Sequence, residues 1–120
     1  MNEDPNTQSQ KPIIKYRDIN DITYSNEVLQ FLRSKLDDFT IDCFREVVKH
    51  HKNGGLTKTS LNVYTNQRKK HEAAFLILES QGFIEVKMDG LKKPYFLTPR
   101  GLQLVNYLQK EARNKATNQI

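Results

Sequence analysis

The sequence predicts a small α+β domain, mainly α-helical with a single β-hairpin, carrying an additional helix at its N-terminal side and one at its C-terminal side. Three observations predict it. Apolar residues recur at three- and four-residue spacing in four separate stretches, the mark of helices that bury one face. The stretch from Phe83 to Asp89 alternates instead, which is the period of a half-buried strand. Asp89-Gly90 and a second apolar run to Leu97 follow it, the strongest short signal for a hairpin.

Taken in order, residues 1–12 hold Pro5, Pro12 and several amides but no aliphatic side chain after Met1, so nothing offsets the entropy of ordering them and a disordered tail is expected. Residues 13–39 form an N-terminal arm and helix. Ile13, Ile14, Tyr16, Ile19, Ile22 and Tyr24 keep neither period, so the arm reads as a short strand or as a strap on the core. Ser25 or Asn26 can cap a helix with Val28, Leu29, Leu32 and Leu36 on one face. A domain of residues 40–113 follows. Thr40 is the expected cap of its first helix, with Asp42 in the first turn, Ile41, Phe44, Val47 and Val48 at helical spacing, and Gly54 and Gly55 ending it after Lys52. Thr57 caps a helix of about two turns that points Leu61 inward, and Asn62 to Thr65 read as a turn.

From Asn66 the pattern changes. NQRKKHE is polar and basic and AAFLILES is apolar, so one helix spans 66–81 with a wet first half and a buried second half, and Gly82 stops it. In the hairpin Ile84, Val86 and Met88 share one face and Glu85 and Lys87 the other, while Pro94 marks the returning strand as an edge. A two-residue Asp89-Gly90 turn sets Lys87 across from Lys92, with Lys93 beside it, a like-charge juxtaposition that a phosphate would relieve. Thr98 and Pro99 open a last helix with Leu102, Val105, Leu108 and Ala112 on its inner face, ending near Arg113, and residues 114–120 fray.

Charge narrows the function. Residues 1–43 hold five Lys/Arg against eight Asp/Glu, whereas residues 44–120 hold fourteen against six. A cationic part of this kind suits a polyanion, since phosphate neutralisation and counterion release supply most nonspecific nucleic-acid affinity. The element order, helix, helix, short helix, basic-fronted helix, hairpin, helix, is the layout of a winged helix-turn-helix domain. The segments LTKTSL, LESQGFIEV and YFLTPRGLQLVNYL also resemble small archaeal and bacterial winged-helix regulators, and are similar to PadR- and MarR-type proteins. The resemblance covers residues 40–110 and rests on Leu78, Gly82, Phe83 with Ile84, Leu97 with Thr98, and Gly101. It implies a winged-helix fold, double-stranded DNA as partner, a role in transcription regulation and a homodimer built on helices outside the winged core.

The residues themselves say which side chains would do the work. A helix about 10 to 12 Å across fits the major groove, and its first turn carries free N–H groups and partial positive charge. Thr65, Asn66, Gln67, Arg68, Lys69 and Lys70 stand at that end, and Asn, Gln, Arg and Lys are the side chains able to read base edges. Lys87, Lys92 and Lys93 on the hairpin, and Thr57, Lys58 and Thr59 on the short helix, are the expected backbone contacts. Two other readings stay open: a winged-helix module that binds a protein, and an architectural DNA-binding protein with little sequence preference.

Catalysis has no positive sign, and no cofactor, metal or small-molecule ligand is expected. His71-Glu72 begins like a zinc-protease motif, but Phe75 stands where the second His is needed. His50 and His51 are adjacent and diverge on a helix. The lone Cys43 excludes an intramolecular disulfide, which fits a reducing, cytoplasmic setting, and reads as a buried small hydrophobe. No run approaches the roughly 18 apolar residues of a membrane span.

Overall fold

Three of the four α-helices among the described residues start on a side-chain oxygen. The computed structural model describes residues 19–61 and 66–118. Helix α1 (Asn26–Ser34) begins at Ser25, whose Oγ accepts from the Val28 amide at 3.2 Å. Helix α2 (Asp38–His50) begins at Asp37, whose carboxylate accepts from the Thr40 amide at 2.8 Å. The sequence predicts Thr40 as this cap. It lies instead inside the first turn and is buried, because the Asp37 carboxylate three residues earlier both accepts the free amide and meets the positive end of the helix dipole. The domain start expected at residue 40 therefore falls within α2.

Helix α2 ends at His50 rather than after Lys52, and Gly55, at φ 82°, returns its amide to the His50 carbonyl at 3.0 Å. A Cβ on Gly55 would lie 2.8 Å from the Phe96 ring and 2.9 Å from the Tyr95 carbonyl oxygen, so this turn needs glycine. Thr57 leads into one 3₁₀ turn, Lys58–Ser60, with no side-chain capping bond, where two helical turns are expected; Leu61 is half-buried against the core. The predicted turn at Asn62 to Thr65 lies outside the described residues.

Helix α3 (Arg68–Ser80) starts two residues later than the pattern predicts, with Gln67 at its cap position. It ends in a Schellman motif: the Gly82 amide donates to the Glu79 carbonyl and the Phe83 amide to the Leu78 carbonyl, both at 3.0 Å, with Leu78 and Phe83 fully buried. Its second half is not buried all round. Ala74, Phe75 and Leu78 face inward while Leu76 and Ile77 are 63% and 39% exposed.

Strand β1 (Ile84–Val86) pairs antiparallel with β2 (Tyr95–Leu97), matching Ile84 with Leu97 and Val86 with Tyr95. The ladder continues to an Asp89–Lys92 bridge that exchanges both backbone bonds at 3.0 Å. The turn residues are thus Gly90 and Leu91, not Asp89 and Gly90. Of these two turn residues Gly90 alone has positive φ, the type II′ signature, so Asp89 avoids the left-handed conformation a type I′ turn would force on it. Lys87 consequently bonds Pro94, not Lys92, its amide donating to the Pro94 carbonyl at 3.1 Å, and the predicted like-charge pair dissolves. Nor is β2 an edge at Tyr95, which exchanges bonds with Leu56 at 2.8 and 3.0 Å on its other side.

Helix α4 (Pro99–Asn118) begins at Thr98, whose Oγ accepts from the Gly101 amide at 3.0 Å and donates to the Gly82 carbonyl. A Cβ on Gly101 would meet the Phe83 carbonyl oxygen at 2.2 Å, so glycine permits the helix to lie against the turn after α3. That contact rotates α4 so that Leu104 and Leu108 point inward; Leu102, predicted inward, is 53% exposed. The helix runs five residues past the expected end at Arg113. Residues 19–24 form the strap. Arg100 donates to the carbonyls of Gly82, Asn20 and Ile22, and Gln103 exchanges bonds with the Tyr24 backbone at 2.8 and 2.9 Å. Helix α1 packs on α4, tied by an Arg33–Glu111 bridge of 3.2 Å, and α2 lies across α3 and β2 over a core of Phe44, Val47, Leu56, Phe75, Leu78, Phe83, Ile84 and Leu104.

Candidate functional site

The front of α3 is built against the usual rule. Arg68, Lys69 and Lys70 occupy its first turn, all exposed, with no acid among them, and the Gln67 side chain makes no capping bond. Helices α1 and α2 by contrast each combine a capping oxygen with an acidic residue in the first turn. A cation near a helix N-terminus opposes the macrodipole by roughly 0.3 to 1 kcal/mol. Three of them therefore form a local electrostatic deficit that an anion would remove.

The three are not equivalent. Lys70 leans back toward α2, its Nζ 4.4 Å from the centre of the Phe39 ring. The Asp37 carboxyl is held below its ordinary value by its hydrogen bonds with Thr40 and, more weakly, by the Lys70 charge. Arg68 and Lys69 have neither an ion-pair nor a ring partner among the described residues. Asn66 and Gln67 are exposed and lead into the helix rather than standing on it; Thr65 lies outside the described residues. His71 is buried, its ring edge-on to Phe39 at 5.0 Å and its Nδ1–H donating to the Gln67 carbonyl at 2.9 Å, so it anchors the helix start from within.

A second cluster was scattered in the sequence. The 3₁₀ turn and the hairpin tip enclose a cleft of about 310 Å³ lined by Thr57, Lys58, Thr59, Leu91, Lys92 and Lys93. Lys92 and Lys93 are exposed there, again with no ion-pair or ring partner among the described residues. Lys58 is committed elsewhere: its Nζ donates to Glu72 Oε1 at 2.6 Å and sits 5.8 Å from the Tyr95 ring centre. This bridge ties the 3₁₀ turn to the first half of α3. Lys87 is not in the cleft, its Nζ lying 5.4 Å from the Phe96 ring centre. Pattern reasoning cannot reveal the Lys58–Glu72 pair, because the partners belong to different elements.

Other chemistry-bearing groups are occupied. Cys43 is buried and its thiol is pushed up to about 11, chiefly by burial, so it is no thiolate near neutral pH. His50 Nδ1 lies 2.9 Å from the Glu46 carbonyl, and His51 Nδ1 accepts from the Leu97 amide at 3.1 Å. Among the described residues no three His, Cys, Asp or Glu side chains are grouped to hold a metal ion, and no helix is long and apolar enough to cross a membrane. An open groove of about 260 Å³ runs between α2 and α4, lined by Phe44, Val48, Val105, Leu108 and Ala112, with Arg45 and Gln109 at its rim. No protein-family model, no curated relative and no solved structure matches the chain.

Proposed function

We propose that this protein is a non-enzymatic, double-stranded DNA-binding protein of the winged helix-turn-helix kind, acting as a transcriptional regulator. The observation that carries the reading is the front of α3, where Arg68, Lys69 and Lys70 crowd a helix end that is already positive and that Gln67 does not cap. A phosphate backbone supplies the missing negative charge. With α3 entering the major groove, Asn66 and Gln67 offer amides suited to adenine, and Arg68 and Lys69 offer donors suited to guanine. The cleft of Thr57, Thr59, Lys92 and Lys93 then serves the flanking backbone, with the hairpin as the wing. A homodimer would read two half-sites, and the exposed Leu102 and Ala112 of α4 are available to it.

The test is anisotropy of a labelled duplex titrated with the full chain at two salt concentrations, with the scattering mass recorded alongside. Binding that weakens steeply with salt, and that Arg68→Glu with Lys69→Glu abolishes while circular dichroism stays native, is expected; retained affinity in that variant would overturn the assignment of α3. One observation favours a second reading, a protein-binding module: Leu76 and Ile77 stand exposed on the same helix behind Lys69. Absence of duplex binding even at low salt would select it. Equal affinity for a selected site and for random duplex would instead point to an architectural role.

A further inference from the structure

The tip of the hairpin is apolar where turn chemistry asks for polar residues. Leu91 occupies the second position of the Gly90-Leu91 turn and is 100% exposed, and Met88, 64% exposed, stands just before it. Two-residue hairpin turns that begin with glycine ordinarily carry Asn, Asp or Ser next. Leu91 stands outside the buried core, and the Asp89–Lys92 bridge beside it is made by backbone groups alone. It is followed in sequence by Lys92 and Lys93, and it forms one wall of the cleft that these lysines share with Thr57 and Thr59.

We infer that Leu91 is a minor-groove wedge, inserted between base pairs while Lys92 and Lys93 hold the phosphates on either side, so that the protein bends the duplex it binds. This rests on the DNA-binding reading. Leu and Met are among the side chains that unstack a base step from the minor groove, and the lysines beside them neutralise the backbone the wedge must approach. A lipid surface also takes an apolar tip with a basic surround, but membrane docking draws on a broad apolar face. Here two side chains stand out beside a turn of threonines and a lysine.

The probe is a short duplex with 2-aminopurine at its TpA steps, the easiest to unstack, and with a donor and acceptor dye at its ends. Full-length protein is expected to raise the 2-aminopurine emission severalfold and to shorten the end-to-end distance by the amount of a bend of about 40° or more. Leu91→Ala should bind about tenfold more weakly and produce neither signal, whereas Leu91→Phe should keep both. Wild-type binding without either signal, or an alanine variant that bends and unstacks as the wild type does, overturns the wedge and leaves the DNA-binding reading standing. No duplex binding by the wild type at low salt, with Leu91-dependent binding to vesicles of anionic lipid, overturns both.

Discussion

On the proposed DNA-binding reading, the salt dependence of duplex binding distinguishes a contact set of free cations from one that counts every basic residue. Seven cations stand in the segments named for contact: Lys58, Arg68, Lys69, Lys70, Lys87, Lys92 and Lys93. Three of them are engaged within the protein, Lys58 by Glu72, Lys70 over Phe39 and Lys87 over Phe96. Four remain. Each phosphate neutralised contributes about −0.9 to the slope of log K against log salt, so four give about −3.6 per protomer bound and seven about −6.3. Between about 50 and about 200 mM salt these slopes correspond to losses of roughly 150-fold and roughly 6,000-fold. The assay is anisotropy over a salt series with two variants. Lys92→Ala with Lys93→Ala should halve the slope, whatever the oligomeric state. Lys58→Met with Glu72→Gln, which removes the bridge without leaving a charge behind, should leave it unchanged. If the neutral pair lowers the slope while the hairpin pair does not, the partition of cations drawn from the structure is wrong.

Three further outcomes follow from the packing and the titrating groups. Gly101→Ala sets a methyl carbon 2.2 Å from the Phe83 carbonyl oxygen, so α4 must move off the turn; a loss of about 3 kcal/mol, or a melting point lower by about 10 to 20 °C, is expected by calorimetry, and an unchanged melting point would contradict the close approach. Burial and its high titration point should make Cys43 resist a thiol reagent at pH 8 in the native protein and react at once in denaturant. For Asp37 the folded carboxyl titrates below its ordinary 3.8, so its stabilising effect is complete above that value and is lost as pH falls through the folded one. Asp37→Asn keeps a capping oxygen; its deficit against the wild type in urea melts should therefore be largest near neutral pH and close in acid, whereas a deficit constant down to about pH 2 would deny the charge any part.

The joint between α3, the hairpin and α4 was legible because each of its residues acts locally. Gly82 ends a helix by adopting positive φ, and Thr98 followed by Pro99 starts one. Leu78 and Phe83 close the Schellman turn between them. Gly101 then completes the joint by admitting the Phe83 carbonyl, a contact that periodicity cannot show. Helix rotation was less legible for the same reason: the stripe through Leu102 and the one through Leu104 are both apolar, and the approach at Gly101 decides between them. In the candidate site, the basic front of α3 was visible as a run of charge, but the turn of Lys70 toward Phe39, like the engagement of Lys58 by Glu72 and of Lys87 by Phe96, joins residues of different elements and could not be read from it.

The hairpin register shows how a small ambiguity reaches the proposed function. A turn at Asp89-Gly90 and a turn at Gly90-Leu91 differ by two residues in pairing, which leaves every side chain on the same face, so alternation cannot tell them apart. Two demands from outside the strands do. Pairing for an Asp89-Gly90 turn would set Leu97 against Gly82, whose positive φ is already used to end α3; pairing for Gly90-Leu91 sets it against Ile84. The first turn would also bend Asp89 into the left-handed region, where among the described residues only glycines are found. The consequence falls on the tip. In the rejected register Leu91 is a strand residue opposite Met88; in the observed one it leaves the ladder and stands fully in solvent between Gly90 and two lysines. The backbone conformation that spares Asp89 is thus what presents Leu91, and a variant that restores an ordinary turn, Leu91→Asn, should keep the hairpin while removing its apolar point.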